Sequence, residues 1–151
     1  MNKLTPFLWF DDQMEEAIAF YAGIFPDAEI IENEKLGDQV LSARFRLAGQ
    51  EFMAMNAGPA HPFTEAFSIL IDCEDQAEVD HYWDALLAGG GREDQCGWLK
   101  DQFGLSWQVI PRRLTELMGD SDPVRARRVM DEMMTQVKID VAALERAADA
   151  A

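Results

Sequence analysis

The chain has 151 residues, 48% apolar and 27% charged, and its 13 lysines and arginines stand against 28 acidic residues for a formal net charge of −15. That length suits one domain with a full apolar core, while such acidity repels phosphate backbones and anionic lipid and argues against nucleic acid or a membrane as partner. No apolar run approaches the roughly 18 residues of a membrane span, the N-terminus lacks a signal peptide's basic and apolar regions, and the two cysteines, Cys73 and Cys96, are too few for a disulfide scaffold. A reduced, cytoplasmic protein is expected.

The first predicted element is the short aromatic run Leu4–Phe10, a strand bounded by Asp11-Asp12. Asp12 can cap a following helix in which Met14, Ala17, Ile18, Tyr21 and Phe25 recur on one face, and Gly23 and Pro26 mark its end. Strands are predicted over Glu29–Glu32, Val40–Leu47 and Glu51–Asn56. In the middle one Leu41, Ala43, Phe45 and Leu47 alternate with Ser42, Arg44 and Arg46, the period of a half-buried strand. Ala48-Gly49-Gln50 reads as the hairpin turn into the third.

Ala57-Gly58-Pro59-Ala60-His61-Pro62 is rich in breakers and reads as a linker, after which the order repeats. Ala66–Asp72 is predicted as a strand, and Asp75 opens a helix with an apolar stripe of Val79, Tyr82, Trp83 and Leu86. Gly89-Gly90-Gly91 ends it, and short strands follow near Arg92–Gln95, Gly97–Lys100 and Leu105–Ile110. Glu16-Ala17-Ile18-Ala19-Phe20-Tyr21 matches Glu78-Val79-Asp80-His81-Tyr82-Trp83 in position within its helix, so each half reads β-α-β-β-β. The division is residues 1–57, a linker at 58–65, residues 66–111 and C-terminal helices at 112–151. In that tail Asp122-Pro123 starts a helix striped by Ala126, Val129, Met130, Met133, Met134 and Val137, and Asp140 caps a last one carrying Val141, Leu144 and Ala148. The methionine stripe suits packing on the protein's own core, or a partner-binding face.

Familiar catalytic signatures are absent: no G-x-S-x-G elbow, no H-E-x-x-H and no P-loop occurs. The glycine triplet follows a helix, whereas a dinucleotide loop follows a strand. His61 and His81 are the only histidines, and no C-x-x-C or H-x-x-x-H spacing joins them to the thiols.

Leu8-Trp9-Phe10-Asp11-Asp12-Gln13 with Glu15-Glu16-Ala17, Phe20-Tyr21 and Phe25-Pro26 resembles the opening of PhnB-like proteins of the vicinal-oxygen-chelate (glyoxalase/bleomycin resistance/dioxygenase) superfamily. Phe63-Thr64-Glu65-Ala66-Phe67-Ser68, Cys73-Glu74-Asp75-Gln76 and, above all, the run from Cys96-Gly97-Trp98-Leu99-Lys100-Asp101 to Trp107-Gln108-Val109-Ile110-Pro111 are similar to the same family. The resemblance implies an α+β fold of two βαβββ modules whose curved mixed sheets surround a small-molecule cavity, with C-terminal helices added, in a homodimer. Metal-dependent members of that superfamily carry ligands on the first, fourth, fifth and eighth strands. Here those positions hold Thr5 or Pro6, Met53 to Met55, Ala66 or Phe67, and Gln108, none of them histidine or carboxylate, so no metal and no other cofactor is expected. Relatives often carry the description 3-demethylubiquinone-9 3-methyltransferase, but the sequence offers no S-adenosylmethionine loop.

Trp9, Phe52, Asn56, Phe67, Trp98, Trp107 and Gln108 lie on strands expected to line the cavity, where aromatic walls and a few amides suit a partly apolar small molecule. Glu65 could act as general base or face solvent, Cys96 as nucleophile or small core residue, and Lys100 as anion anchor or surface lysine. The expected function is metal-independent binding of a small molecule, with no reaction specified. A metal-dependent lyase, transferase or dioxygenase and a non-catalytic sequestering or interaction protein are the alternatives.

Overall fold

A computed structural model describes residues 2–150, whose packing separates into two units between Phe63 and Thr64. The first runs β1 (Phe7–Phe10), α1 (Met14–Ile24), β2 (Glu29–Leu36), β3 (Gln39–Leu47) and β4 (Gln50–Asn56), and its sheet has the order β1-β4-β3-β2. The second runs β5 (Ser68–Cys73), α2 (Gln76–Leu87), β6 (Arg92–Glu93), β7 (Trp98–Lys100) and β8 (Ser106–Pro111), in the order β5-β8-β7-β6. In each sheet the first strand pairs parallel with the last and the other pairs are antiparallel. The two open mixed sheets therefore share one topology, the duplication expected from the sequence. Three helices follow: α3 (Arg112–Met118), α4 (Pro123–Met133) and α5 (Val141–Asp149).

The apolar stripe of α1 is buried at Met14, Ala17, Ile18 and Tyr21, and the helix packs on β3 and β4. Its cap differs from expectation. Gln13, not Asp12, is the N-cap and its side chain makes no capping bond. Instead the Met14 N–H donates to Asn56 Oδ1 at 2.9 Å, because the parallel pairing of Phe10 with Asn56 brings the end of β4 to the helix start. In the second unit Asp75 caps α2 as expected, accepting the Glu78 N–H at 2.9 Å, and Val79, Trp83 and Leu86 are buried.

Several strand ends moved. β2 extends to Leu36 because Gly37, at φ 63°, turns the chain so that Leu36 meets Gln39. Leu41 is exposed rather than core: Lys35 faces Val40 and Glu34 faces Ser42, so Leu41 is the extra residue of a β-bulge and the alternation shifts by one. The Ala48-Gly49 turn has both residues at positive φ, 47° and 82°, the requirement of a type I′ hairpin. The expected linker starts as a continuation of the sheet, with the Ala57 and Gly58 N–H groups donating to Phe10 and Asp11 carbonyls. Ala66 and Phe67 lie outside β5 because Thr64 holds them in a turn through its hydroxyl and carbonyl oxygens.

In the tail, Asp122 and Asp140 cap α4 and α5 by accepting the Val124 and Ala143 N–H groups. Helix α3 starts eleven residues earlier than the helix expected from Pro123. Leu114, Leu117, Val129, Ile139, Leu144 and Ala148 form a core of their own, against which Ile110, Met118 and Met133 pack. Met130 and Met134 stay exposed. The α4–α5 loop is tied back to the sheet: the Gln136 and Val137 carbonyls accept the Cys96 and Gly97 N–H groups at 2.9 and 2.8 Å. Gln76 on α2 bonds both Ile139 O and the Val141 N–H.

Candidate functional site

Successive strand residues face opposite sides of a sheet, so alternation sorts the candidate residues between a helix-covered face and an open one. In the first sheet Phe52 is 3% exposed, stacks on Phe45 at 5.5 Å between ring centres, and shares the helix-covered face with Ala43 and Ala54. Asn56 has the same parity and is spent on the α1 cap. In the second sheet Trp107 is 1% exposed, and its indole N–H donates to the buried Asp101 carboxylate at 2.9 Å. The same carboxylate accepts the Phe103 and Leu105 N–H groups, so Trp107 and the turn before β8 form one buried unit.

The open face of the first sheet is crossed by two rows of paired residues: Phe7, Met53, Arg44 and Glu32, then Trp9, Met55, Ser42 and Glu34. Arg44 bonds Glu51 and lies 3.7 Å from Met53 Sδ, and Ser42 donates to Glu34 at 2.9 Å. A groove of about 370 Å³ runs over Glu32, Glu34, Ser42, Arg44 and Met53. Trp9 is half-buried, with its indole N–H on Gly58 O at 2.9 Å and its ring edge-on to His61 at 4.8 Å.

The open face of the second sheet carries the row Leu70, Gln108, Trp98 and beside it the row Ser68, Ser106, Lys100, Arg92. Gln108 and Trp98 are direct cross-strand partners, and Gln108 Nε2 donates to Ser68 Oγ at 3.0 Å. Trp98 and Gln108 are thus brought together, while Trp107, next to Gln108 in sequence, points to the other side. Phe67 is 45% exposed in the turn before β5. Ser68, Leu70 and Ser106 were missed as residues of this face. Their parity in each strand was the signal for them.

Glu65 is exposed and ion-paired with Lys100. The hydrogen bond from Lys100 is the main cause holding its carboxyl below the usual range, the direction opposite to a base poised near neutrality. Cys96 is a partly exposed free thiol on a left-handed backbone, φ 58°, just before β7. Cys73 is fully buried, and desolvation first, then the charges of Glu78 and Asp72, pushes its thiol up to about 12. It stays protonated and unreactive.

A divalent ion does not fit the residues at the superfamily's metal positions. They offer a threonine hydroxyl, methionine thioethers and the Gln108 amide, which is neutral and bonded to Ser68. Among the described residues no three His, Cys, Asp or Glu side chains gather as a metal site, and no helix is long and apolar enough to cross a membrane.

A family model described as 3-demethylubiquinone-9 3-methyltransferase matches residues 2–110. Among solved structures, the PhnB protein from Bacillus cereus is 32% identical with a TM-score of 0.65, over 71% of this chain and 97% of that one. A protein from Pseudomonas aeruginosa is 23% identical with a TM-score of 0.59, over 71% and 95%. The fosfomycin resistance protein FosX from Listeria monocytogenes, whose structure holds Mn(II) and sulfate, shares the fold at 20% identity and a TM-score of 0.52, over 70% and 88%. No curated protein matches the sequence. With two four-stranded mixed sheets of one topology and a family match over most of its length, the chain belongs to the family described as 3-demethylubiquinone-9 3-methyltransferase, PhnB-like members of the vicinal-oxygen-chelate superfamily.

Proposed function

We propose that the protein binds a small, partly apolar molecule without a metal, holding it on the open face of the second sheet at Trp98 and Gln108. The observation that carries this reading is the cross-strand pair itself. Trp98 offers a ring for stacking, and Gln108, its amide nitrogen anchored on Ser68, keeps its carboxamide oxygen as an acceptor in a fixed place. Trp9 gives the first sheet an aromatic group on its own open face. Phe67, exposed beside β5, is a second apolar contact in this reading, and Phe52, Asn56 and Trp107 belong to the frame.

The family's description names methyl transfer, but support for it in this chain is lacking. The strand-to-helix turns are Asp11-Asp12-Gln13 and Glu74-Asp75, acidic and without the glycines that let a backbone wrap a nucleotide-like cofactor. Where the bound molecule is turned over, Cys96, two residues before Trp98, is the first group to test. Glu65 is the second, with its basicity lowered by Lys100. We place the protein in the cytoplasm as a homodimer. Its two free thiols suit a reducing compartment, and edge strand β2, exposed along its length and carrying Ile30, Ile31 and Leu36, offers an apolar surface.

Native mass spectrometry of the purified protein, with metal content determined on the same sample, tests the proposal. A metal-free dimer carrying extra small-molecule mass that Trp98→Ala and Gln108→Ala both lose, while remaining folded, is the expected result. One tightly held divalent ion per chain would overturn it.

A further inference from the structure

We infer that the second sheet also carries an anion seat, built by Lys100, Arg92 and Ser106, that takes its small molecule through an oxyanion group such as a carboxylate or phosphate. This rests on the reading that a small molecule binds the open face of that sheet, and it names the chemistry of one end of that molecule.

The seat follows from one cross-strand row. Ser68 on β5 faces Ser106 on β8, Ser106 faces Lys100 on β7, and Lys100 faces Arg92 on β6, so the row contains no apolar residue. Like charges directly opposite each other in an antiparallel pair repel, and Lys100 with Arg92 is such a pair. The Arg92 side chain makes no hydrogen bond or ion pair among the described residues, although acids outnumber bases by more than two to one in this chain. Next in the row, Ser106 is 1% exposed and its hydroxyl has no hydrogen-bond partner. A buried donor left unmatched is destabilising unless something else bonds it. Two adjacent cations and an orphaned hydroxyl in one row match the needs of an oxyanion.

Glu65 shows where that group would sit. Its carboxylate, carried on the turn before β5, pairs with Lys100, and the charge of Arg92 adds to the lowering of its pKa. Lys100 is half-buried but the Glu65 end of the pair is open to solvent, so an incoming anion can displace Glu65. A groove of about 290 Å³ opens beside the pair, lined by Arg92, Glu93, Asp94 and Lys100. Both acids there are engaged elsewhere: Glu93 accepts the Trp83 indole N–H at 3.1 Å, and Asp94 accepts the Gln95 N–H at 2.8 Å.

The test is titration of the full chain with inorganic phosphate, and in parallel acetate, at constant ionic strength, read by tryptophan fluorescence and by the unfolding midpoint. Saturable binding of either anion is expected, weakened about tenfold or more by Lys100→Gln and by Arg92→Gln. Glu65→Gln removes the competing carboxylate and should tighten binding by about threefold or more, a gain that a misfolded variant could not produce. No response beyond that to chloride, or unchanged affinity in Lys100→Gln and Glu65→Gln, would overturn the seat. Trp98→Ala separates the two readings. Phosphate bound by that variant upholds the seat apart from the stacking site, whereas a co-purifying ligand lost in Trp98→Ala but indifferent to Lys100→Gln leaves the stacking site and removes the seat.

Discussion

Asn56, the last residue of β4, caps α1 by accepting the Met14 N–H at 2.9 Å, across 42 positions of sequence. The cap residue Gln13 makes no such bond, so the Asn56 carboxamide supplies the acceptor that the helix start lacks. Asn56→Ala should lower stability by about 1 kcal/mol, and Asn56→Asp, which keeps the oxygen and adds a favourable charge at the helix N-terminus, should restore it. Urea unfolding of the two variants checks this. Equal midpoints for wild type and Asn56→Ala would show that water serves the Met14 N–H.

Two tryptophans of the second sheet should separate stability from binding. Trp107→Phe removes the indole N–H from the buried Asp101 carboxylate, and a cost of about 1–3 kcal/mol with unchanged ligand affinity is expected. Trp98→Ala should do the reverse, weakening binding while moving the unfolding midpoint little. Denaturation and ligand titration on both variants decide it, and a loss of affinity in Trp107→Phe alone would place the ligand elsewhere.

The two thiols should differ in reactivity and in their effect on pH stability. At pH 8 a thiol reagent should modify Cys96 in the native protein and reach Cys73 only on unfolding. Burial raises Cys73 from 9.0 to about 12, so above pH 9 the unfolded chain releases a proton that the native state keeps. Native stability is therefore whole below pH 9 and falls above it, by at most about 1.4 kcal/mol per pH unit from this group. Cys73→Ala should flatten the alkaline limb of a stability–pH curve, and an unchanged limb would assign the loss to other groups.

Removing residues 122–151 should unfold the second unit rather than release a free-standing module. The deletion strips Val129, Ile139, Leu144 and Ala148 from the core around Leu114 and Leu117 and removes the carbonyls that accept the Cys96 and Gly97 N–H groups. Gly97 is pressed between Ile110 and Ile139, where a Cβ would lie 2.9 and 3.0 Å from their side chains, so Gly97→Ala should also be destabilising, by roughly 2 kcal/mol. Circular dichroism on heating reads both. A deletion variant with native melting would free the methionine-bearing helix for a partner.

Much of the fold was legible in residue order. The repeated β-α-β-β-β pattern, the Asp75, Asp122 and Asp140 caps and the buried stripes of α1 and α2 follow from periodicity and capping chemistry, which act over a few neighbours. Trp107 and Gln108 were both expected to line the cavity, although consecutive strand residues cannot share a face, and only Gln108 lies on the open one.

Other features were silent. Between Glu51 and Asn56, β4 runs Phe52-Met53-Ala54-Met55, apolar on both faces, so these four residues gave no polar contrast to mark the face α1 would cover. The bulge at Leu41, the capping role of Asn56 and the row that joins Ser106 to Lys100 and Arg92 all depend on pairing between distant segments. Sequence by itself determined the elements, their order and the family. Only the tertiary structure decided which face of each sheet stays open and which residues of different strands meet on it, because register and helix docking are set by long-range packing that no local pattern encodes.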